Sequence, residues 1–357
     1  MTPLVAEIAA EIRVGGPITL ARYMGLCLSH PRHGYYTTHD PLGAGGDFIT
    51  APEISQMFGE LVGLALAQAW QDQGAPARAH LVELGPGRGT LMADILRATN
   101  AVPGFRDAVR ITLIETSPAL KQKQADTLAD YAADWTDDIA NLTGAPLFVV
   151  ANEFFDALPI RQFQRAGAAW AERVVGLSAT GTLAPGLSPA AQLAALDHRL
   201  ADTEDGDIVE TCEPGAAIAG GIGAHIAAHG GAALIFDYGD WRSQGDTLQA
   251  LRGHAAADPF AAPGQADLTA HVDFEPLADA ARIAGATPSR LTPQGVFLER
   301  LGITARAEAL ARGLQGARRA NHIAAHRRLT HPAEMGALFK VMGIAPHGAP
   351  PVAGLEQ

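Results

Sequence analysis

Between His80 and Thr90 the chain reads HLVELGPGRGT. Leu81 to Leu84 is a short apolar run. Gly85, Gly87 and Gly89 alternate behind it, and Glu83 stands two residues ahead of the first glycine. A buried strand that hands an acid and a bare main-chain turn to the start of a helix makes a small-molecule site. The glycines let the backbone approach a ligand closely, because no Cβ intervenes. The acid offers a fixed negative group to an amine or a hydroxyl. More such groups follow other apolar runs: Glu115 closes ITLIE, and Asn152 and Glu153 follow LFVVA.

Spacing selects the ligand. A dinucleotide fingerprint is G-x-G-x-x-G/A, and here Thr90 stands where the third small residue belongs. That disfavours a nicotinamide oxidoreductase. The pattern present, E-x-G-x-G-x-G, resembles the first motif of class I S-adenosylmethionine (SAM) methyltransferases. SAM carries an ammonium, a carboxylate, a ribose diol, an adenine and a sulfonium. In an open α/β sheet these parts lie across the carboxyl ends of the strands. Gly85, Pro86, Gly87 and Gly89 are then expected under the methionine and ribose portions, with Glu83 beside them. Glu115 is expected on both ribose hydroxyls, Asp134 and Trp135 at the adenine, and Asn152 and Glu153 on the sulfonium side.

These groups need a frame. Strands at 81–84, 111–115, 147–151 and 232–236, with helices between, predict an α/β fold with a mostly parallel, Rossmann-like sheet. Ser117-Pro118 starts one of the helices as N-cap and N1, with Leu120, Gln124, Leu128 and Tyr131 spaced along it. Ahead of the sheet, two apolar stripes (Leu4, Ile8, Ile12; then Leu20, Tyr23, Met24, Cys27, Leu28) predict helices broken at Gly15-Gly16-Pro17. Residues 30–53 read as a long loop ending in a capping box, Thr50-Ala51-Pro52-Glu53. Residues 160–177 read as two antiparallel strands, 178–206 as a weakly structured insertion, and 252–274 as a second long loop. A basic helical stretch at 303–329 and a closing strand near 337–342 complete the chain. The expected organisation is a helical and loop extension (1–76), a cofactor-binding core (77–251, insertion about 160–206), and a substrate loop with helices and a closing strand (252–357).

The 357 residues allow one large domain or two at roughly 100–200 residues each. A formal net charge of -12 argues against nonspecific nucleic-acid binding and leaves room for a basic protein partner. Cys27 and Cys212 form no C-x-x-C, so neither a disulfide framework nor a metal site is indicated. Without a signal peptide or a long apolar span, the expectation is a cytoplasmic protein. The oligomeric state stays open, the inserted region and basic helix being compatible with a homodimer.

Longer stretches carry a family resemblance over nearly the whole chain. They are Gly34-Tyr35-Tyr36, Gly46-Asp47-Phe48-Ile49-Thr50-Ala51-Pro52-Glu53, Glu83 to Thr90, Asn152-Glu153-Phe154-Phe155-Asp156-Ala157-Leu158-Pro159, Asp237-Tyr238-Gly239, Asp267 to Phe274, Thr292 to Gly295, and His331 to Gly336. The sequence resembles the MidA-type SAM-dependent methyltransferases, whose mitochondrial members are arginine methyltransferases acting in respiratory complex I assembly. The resemblance implies a class I methyltransferase with extra N-terminal helices, an inserted substrate region and a protein substrate. It adds Thr50, Pro52 and Glu53 to the expected cofactor residues, and Phe154 and Asp267 to the substrate side. A guanidinium acceptor arrives cationic, so acids must hold it. Glu153 and Asp156 are the expected clamp, Tyr35 and Tyr36 the stacking groups, and His271 and Asp273 the proton acceptors. A small-molecule methyltransferase and a non-catalytic SAM-binding assembly factor are the alternatives.

Overall fold

The structure is a computed structural model and describes residues 2–38, 50–142 and 144–356. The chain forms two units, each assembled from separate stretches. The larger comprises Ile49–Phe155, Ala216–Trp241 and Phe274–Gln357; the smaller comprises Met1–Phe48, Asp156–Gly215 and Arg242–Asp273. This differs from the three consecutive segments expected. Composition is read along the chain, whereas a core gathers whichever stretches share it.

The larger unit is the α/β sheet. Its main strands are β1 (Ala79–Leu84), β2 (Val109–Ile114), β3 (Ala133–Thr136), β4 (Leu147–Asn152), β5 (Gly231–Asp240), β6 (Ala286–Pro288) and β7 (Phe339–Pro346). They lie in the order β6-β7-β5-β4-β1-β2-β3. The five from β5 to β3 run parallel, β7 runs antiparallel to β5, and β6 antiparallel to β7. Strands covered on both faces read as continuous apolar runs, and every residue of β4 is buried.

Three helices matter for the site: α1 (Gln56–Asp72), α2 (Thr90–Thr99) and α3 (Pro118–Thr127). On α1, a Cβ at Gly59 would stand 2.6 Å from Asp94 Cβ, and one at Gly63 2.9 Å from Ile95 Cα. The two glycines therefore let α2 cross close to α1. The Ser117 hydroxyl caps α3 by accepting from the Leu120 N–H, with Pro118 in the first turn, as its sequence requires. The basic stretch is two helices, Ile303–Ala311 and Gly316–Thr330. Arg306 Nε lies 2.8 Å from the buried Glu60 carboxylate. The late matching stretches are packing devices: a Cβ on Gly295 or Gly336 would overlap the Thr330 carbonyl, and Gln294 Nε2 donates to Leu329 O at 3.0 Å.

In the smaller unit the two N-terminal stripes form helices Pro3–Gly15 and Leu20–Ser29. Strands Arg161–Ala166 and Ala169–Leu177 pair antiparallel, flanked by Ile208–Thr211 and Ile18–Thr19. The insertion expected to be weakly structured holds strand Leu183–Leu187 and the 3-10 helix Ala194–Ala201. Its Pro and Gly content conceals an edge strand, where such residues are tolerated. The loops expected at 30–53 and 252–274 contain a helical turn, Tyr35–Thr38, and a strand, Asp267–Thr269. Gly46, Asp47, Phe48 and Ile49 lie outside the described residues.

Candidate functional site

The register aligns four strand tips in the larger unit. Leu84 pairs with Ile114 on one side and Ala151 on the other, and Ile114 pairs with Thr136. The next residues along each chain are Gly85, Glu115, Asn152 and Asp137. One row thus carries the turn, an amide and two acids, at the carboxyl end where open sheets take ligands.

Gly85, Gly87 and Gly89 have φ of 59°, 54° and 81°, the left-handed region that L side chains avoid. Gly89 caps α2, and its N–H donates to Pro86 O at 2.7 Å, closing the turn. Gly85 also leaves room for an aromatic ring, since a Cβ there would stand 2.8 Å from Phe154 Cδ2. Glu83 is buried, and burial pushes its carboxyl well above the usual range, opposed by a bond from the Met92 N–H.

Glu115 is held at both oxygens. Oε1 accepts from the Thr116 N–H at 2.8 Å and the Ser117 N–H at 2.7 Å, and Oε2 accepts from Gln124 Nε2 at 3.1 Å. Burial raises its pKa, while these bonds favour the anion. Two donors already fill Oε1, whereas Oε2 retains capacity for a further donor. Asn152 Nδ2 donates to Glu153 Oε1 at 3.1 Å, and the Ala51 N–H donates to the same oxygen at 3.3 Å. Glu153 has φ 52°. A non-glycine residue held there carries strain of roughly 1–3 kcal/mol, and such outliers cluster at functional sites. Asp237, fully buried, accepts from the Phe155 N–H and the Tyr238 N–H, each at 3.0 Å, fixing the chain just past Glu153.

Around this row, Thr50 stands at the N-cap of Ala51–Ile54 but makes no side-chain cap bond. Pro52 is buried. Glu53 turns to Thr90, whose hydroxyl donates to it at 2.6 Å, so the capping box keeps its place and loses its reciprocal bonds. Asp134 departs from expectation. It lies two residues short of the tip, exposed, with Arg110 Nε at 2.8 Å from its carboxylate. The alternation along β3 turns Asp134 outward, and Asp137 occupies the tip. Trp135 is partly buried, its indole N–H donating to Gln124 Oε1 at 2.8 Å.

The remaining expected residues belong to the smaller unit, apart from Phe154, which meets Phe155 edge-on at 5.3 Å in the larger. Tyr35 is 1% exposed, a core side chain without a free ring face for stacking on substrate. Tyr36 donates its hydroxyl to Asp267 Oδ1 at 2.8 Å, and burial pushes its phenol pKa well up. Asp156 is buried and its carbonyl accepts from the Ala270 N–H at 3.0 Å. It falls in the smaller unit, whereas Glu153 falls in the larger. The His271 N–H donates to Thr247 Oγ1 at 2.8 Å, and its ring Nε2 stands 3.4 Å from Gln249 Nε2. Asp273 lies 3.7 Å from the buried Arg199 guanidinium.

The sequence analysis assigns no site role to Gln124, Asp137 or Asp237, although Asp237 stands in a matching stretch. The signal for Gln124 was present: an amide on the buried stripe Leu120, Gln124, Leu128.

The residues fit the expected cofactor. Asn152 Oδ1 and Glu83 Oε2 are buried acceptors with no hydrogen-bond partner among the described residues. Leaving such atoms unmet costs free energy, and an ammonium supplies donors only.

The comparisons agree. Residues 61–292 match a family model described as S-adenosyl-L-methionine-dependent methyltransferase. The protein arginine methyltransferase NDUFAF7, mitochondrial, of Danio rerio is 37% identical, over 96% of this chain and 86% of its own length. Its Homo sapiens counterpart is 34% identical, over 97% of this chain and 84% of its own length. A crystal structure from Burkholderia thailandensis, bound to S-adenosyl-homocysteine, is 32% identical with a TM-score of 0.84, covering 98% of this chain and 93% of that one. The cytoplasmic expectation is overturned: these curated relatives, and the Drosophila melanogaster homolog, are named as mitochondrial. No helix among the described residues is long and apolar enough to cross a membrane. A glycine turn beside a row of strand-tip acids, matched by sequence and by structure over nearly the full length, identifies the chain as a member of the SAM-dependent methyltransferase family and an enzyme that uses SAM.

Proposed function

We propose that the enzyme methylates arginine side chains of a protein substrate, with the SAM-binding row built from Glu83, the Gly85–Gly89 turn, Glu115 and Asn152. The relatives' names support the acceptor class. The observation that carries the site is Glu153: a carboxylate on a strained backbone at φ 52°, oriented by Asn152 and by the Ala51 N–H. SAM, when bound, supplies an electrophilic methyl on a sulfonium.

The protein's own residues do the rest. The turn, with its bare backbone and the start of α2, receives the amino-acid end, and the Asn152 and Glu83 acceptors meet its ammonium. Glu115 presents the remaining acceptor site of Oε2 to the diol. Glu153 holds the guanidinium by a charge-assisted pair and orients one nitrogen toward the methyl. Its negative charge also offsets the repulsion between two cations. As nitrogen gains the methyl it releases a proton, and a carboxylate already in contact can receive it. The finer assignment, a subunit of respiratory complex I as the substrate, follows from the family resemblance.

Replacing Glu153→Gln tests the role. The amide keeps an acceptor for the Ala51 N–H but removes the charge. Methyl transfer should fall at least 100-fold, within the range typical of a lost acid–base group, while calorimetric binding of S-adenosyl-homocysteine persists. Turnover close to wild type would remove Glu153 from the mechanism.

A further inference from the structure

Gln124 lies wholly buried on α3, where the stripe calls for an apolar side chain. A buried amide is costly unless its polar atoms are paired, and here they are. Nε2 donates to Gly87 O at 2.9 Å and to Glu115 Oε2 at 3.1 Å, and Oε1 accepts from Trp135 Nε1 at 2.8 Å. Its orientation is fixed by chemistry. Turned over, the amide would set its oxygen against a carbonyl and a carboxylate, and its NH2 against an N–H.

We propose that Gln124 is a positioning residue of the ribose subsite, tying the Glu115 carboxylate to the glycine turn so that the remaining acceptor site of Oε2 faces a nucleoside's vicinal diol. Glu115 would otherwise be oriented at one oxygen only, through the Thr116 and Ser117 N–H groups. The two N–H bonds of Gln124 make turn and acid a single preorganised surface. The indole of Trp135 keeps the amide from rotating. The inference rests on Glu115 being the ribose acid, as proposed above.

The test compares S-adenosyl-homocysteine with its 2',3'-dideoxy analogue by calorimetry on the full chain. Gln124→Met preserves bulk and removes the polar contacts. It should weaken S-adenosyl-homocysteine roughly tenfold, the scale of one hydrogen bond to a charged group, and leave the dideoxy analogue unchanged. Gln124→Glu is isosteric and guards against a variant that fails to fold. It should weaken the diol ligand further, with partial recovery at acid pH as the introduced carboxyl regains a donor. Equal weakening of both ligands, or no weakening of either, overturns the inference. Glu115→Gln separates the two readings. If it leaves S-adenosyl-homocysteine affinity intact, the ribose assignment fails and the inference with it. If it weakens binding while both Gln124 variants do not, only the inference fails.

Discussion

Gly85 and Phe154 are complementary: the missing Cβ of one is the space taken by the ring of the other, with 2.8 Å between a built Cβ and Phe154 Cδ2. The first glycine of the turn therefore serves packing as well as ligand approach. It joins the β1 tip to the segment carrying Asn152 and Glu153. Gly85→Ala should destabilise the fold by roughly 1–3 kcal/mol, from left-handed strain plus the clash. Chemical denaturation measures this. In a double-mutant cycle, Gly85→Ala should cost less in a Phe154→Ala background than in the wild type, because the clash is gone and the strain remains.

The two acids near the end of β3 should behave oppositely. Asp134 is exposed and paired with Arg110, while Asp137 stands in the tip row with Glu115. Asp134→Ala should leave S-adenosyl-homocysteine affinity unchanged. Asp137→Ala should weaken it by roughly tenfold, as for one lost hydrogen bond to a charged group. Calorimetry on the pair decides which acid meets the adenosine; the reverse ranking would restore Asp134.

A pH effect follows from Asp94 on α2. Burial, together with the negative charges of Glu60 and Glu53, raises its pKa from the ordinary 3.8 to about 6, against the pull of Arg97. The folded state thus holds this proton more tightly than the unfolded state. Its contribution to stability is fully present below 3.8 and is lost as pH rises through about 6. Asp94→Asn carries no such proton. Melting temperatures of wild type relative to Asp94→Asn should decline across that window and then level off. A flat difference would show that Asp94 titrates normally.

The sheet was legible because its physics is local. Runs such as LFVVA, buried on both faces, and glycines alternating after Leu84 can mean little else, and Ser117-Pro118 announces α3. The end of β3 was not legible because it is set by pairing: only the register of β3 against β2 shows that Thr136 marks the tip. Gln124 carries no site role in the sequence because it occupies an apolar stripe, and its meaning lies in three partners remote in sequence. The two-unit organisation was hidden for a related reason. The chain leaves the larger unit after Phe155 and returns to it at Ala216.

The central claim is that a strand-tip carboxylate steers an arginine to a SAM-derived methyl. The most direct measurement gives the purified enzyme tritiated SAM and a mitochondrial protein extract, with Glu153→Gln in parallel. Labelled protein is then hydrolysed and its amino acids separated. The account predicts tritium in methylarginine with the wild-type enzyme and none with the variant. Label confined to small molecules, label in another amino acid, or equal label from both enzymes would contradict it.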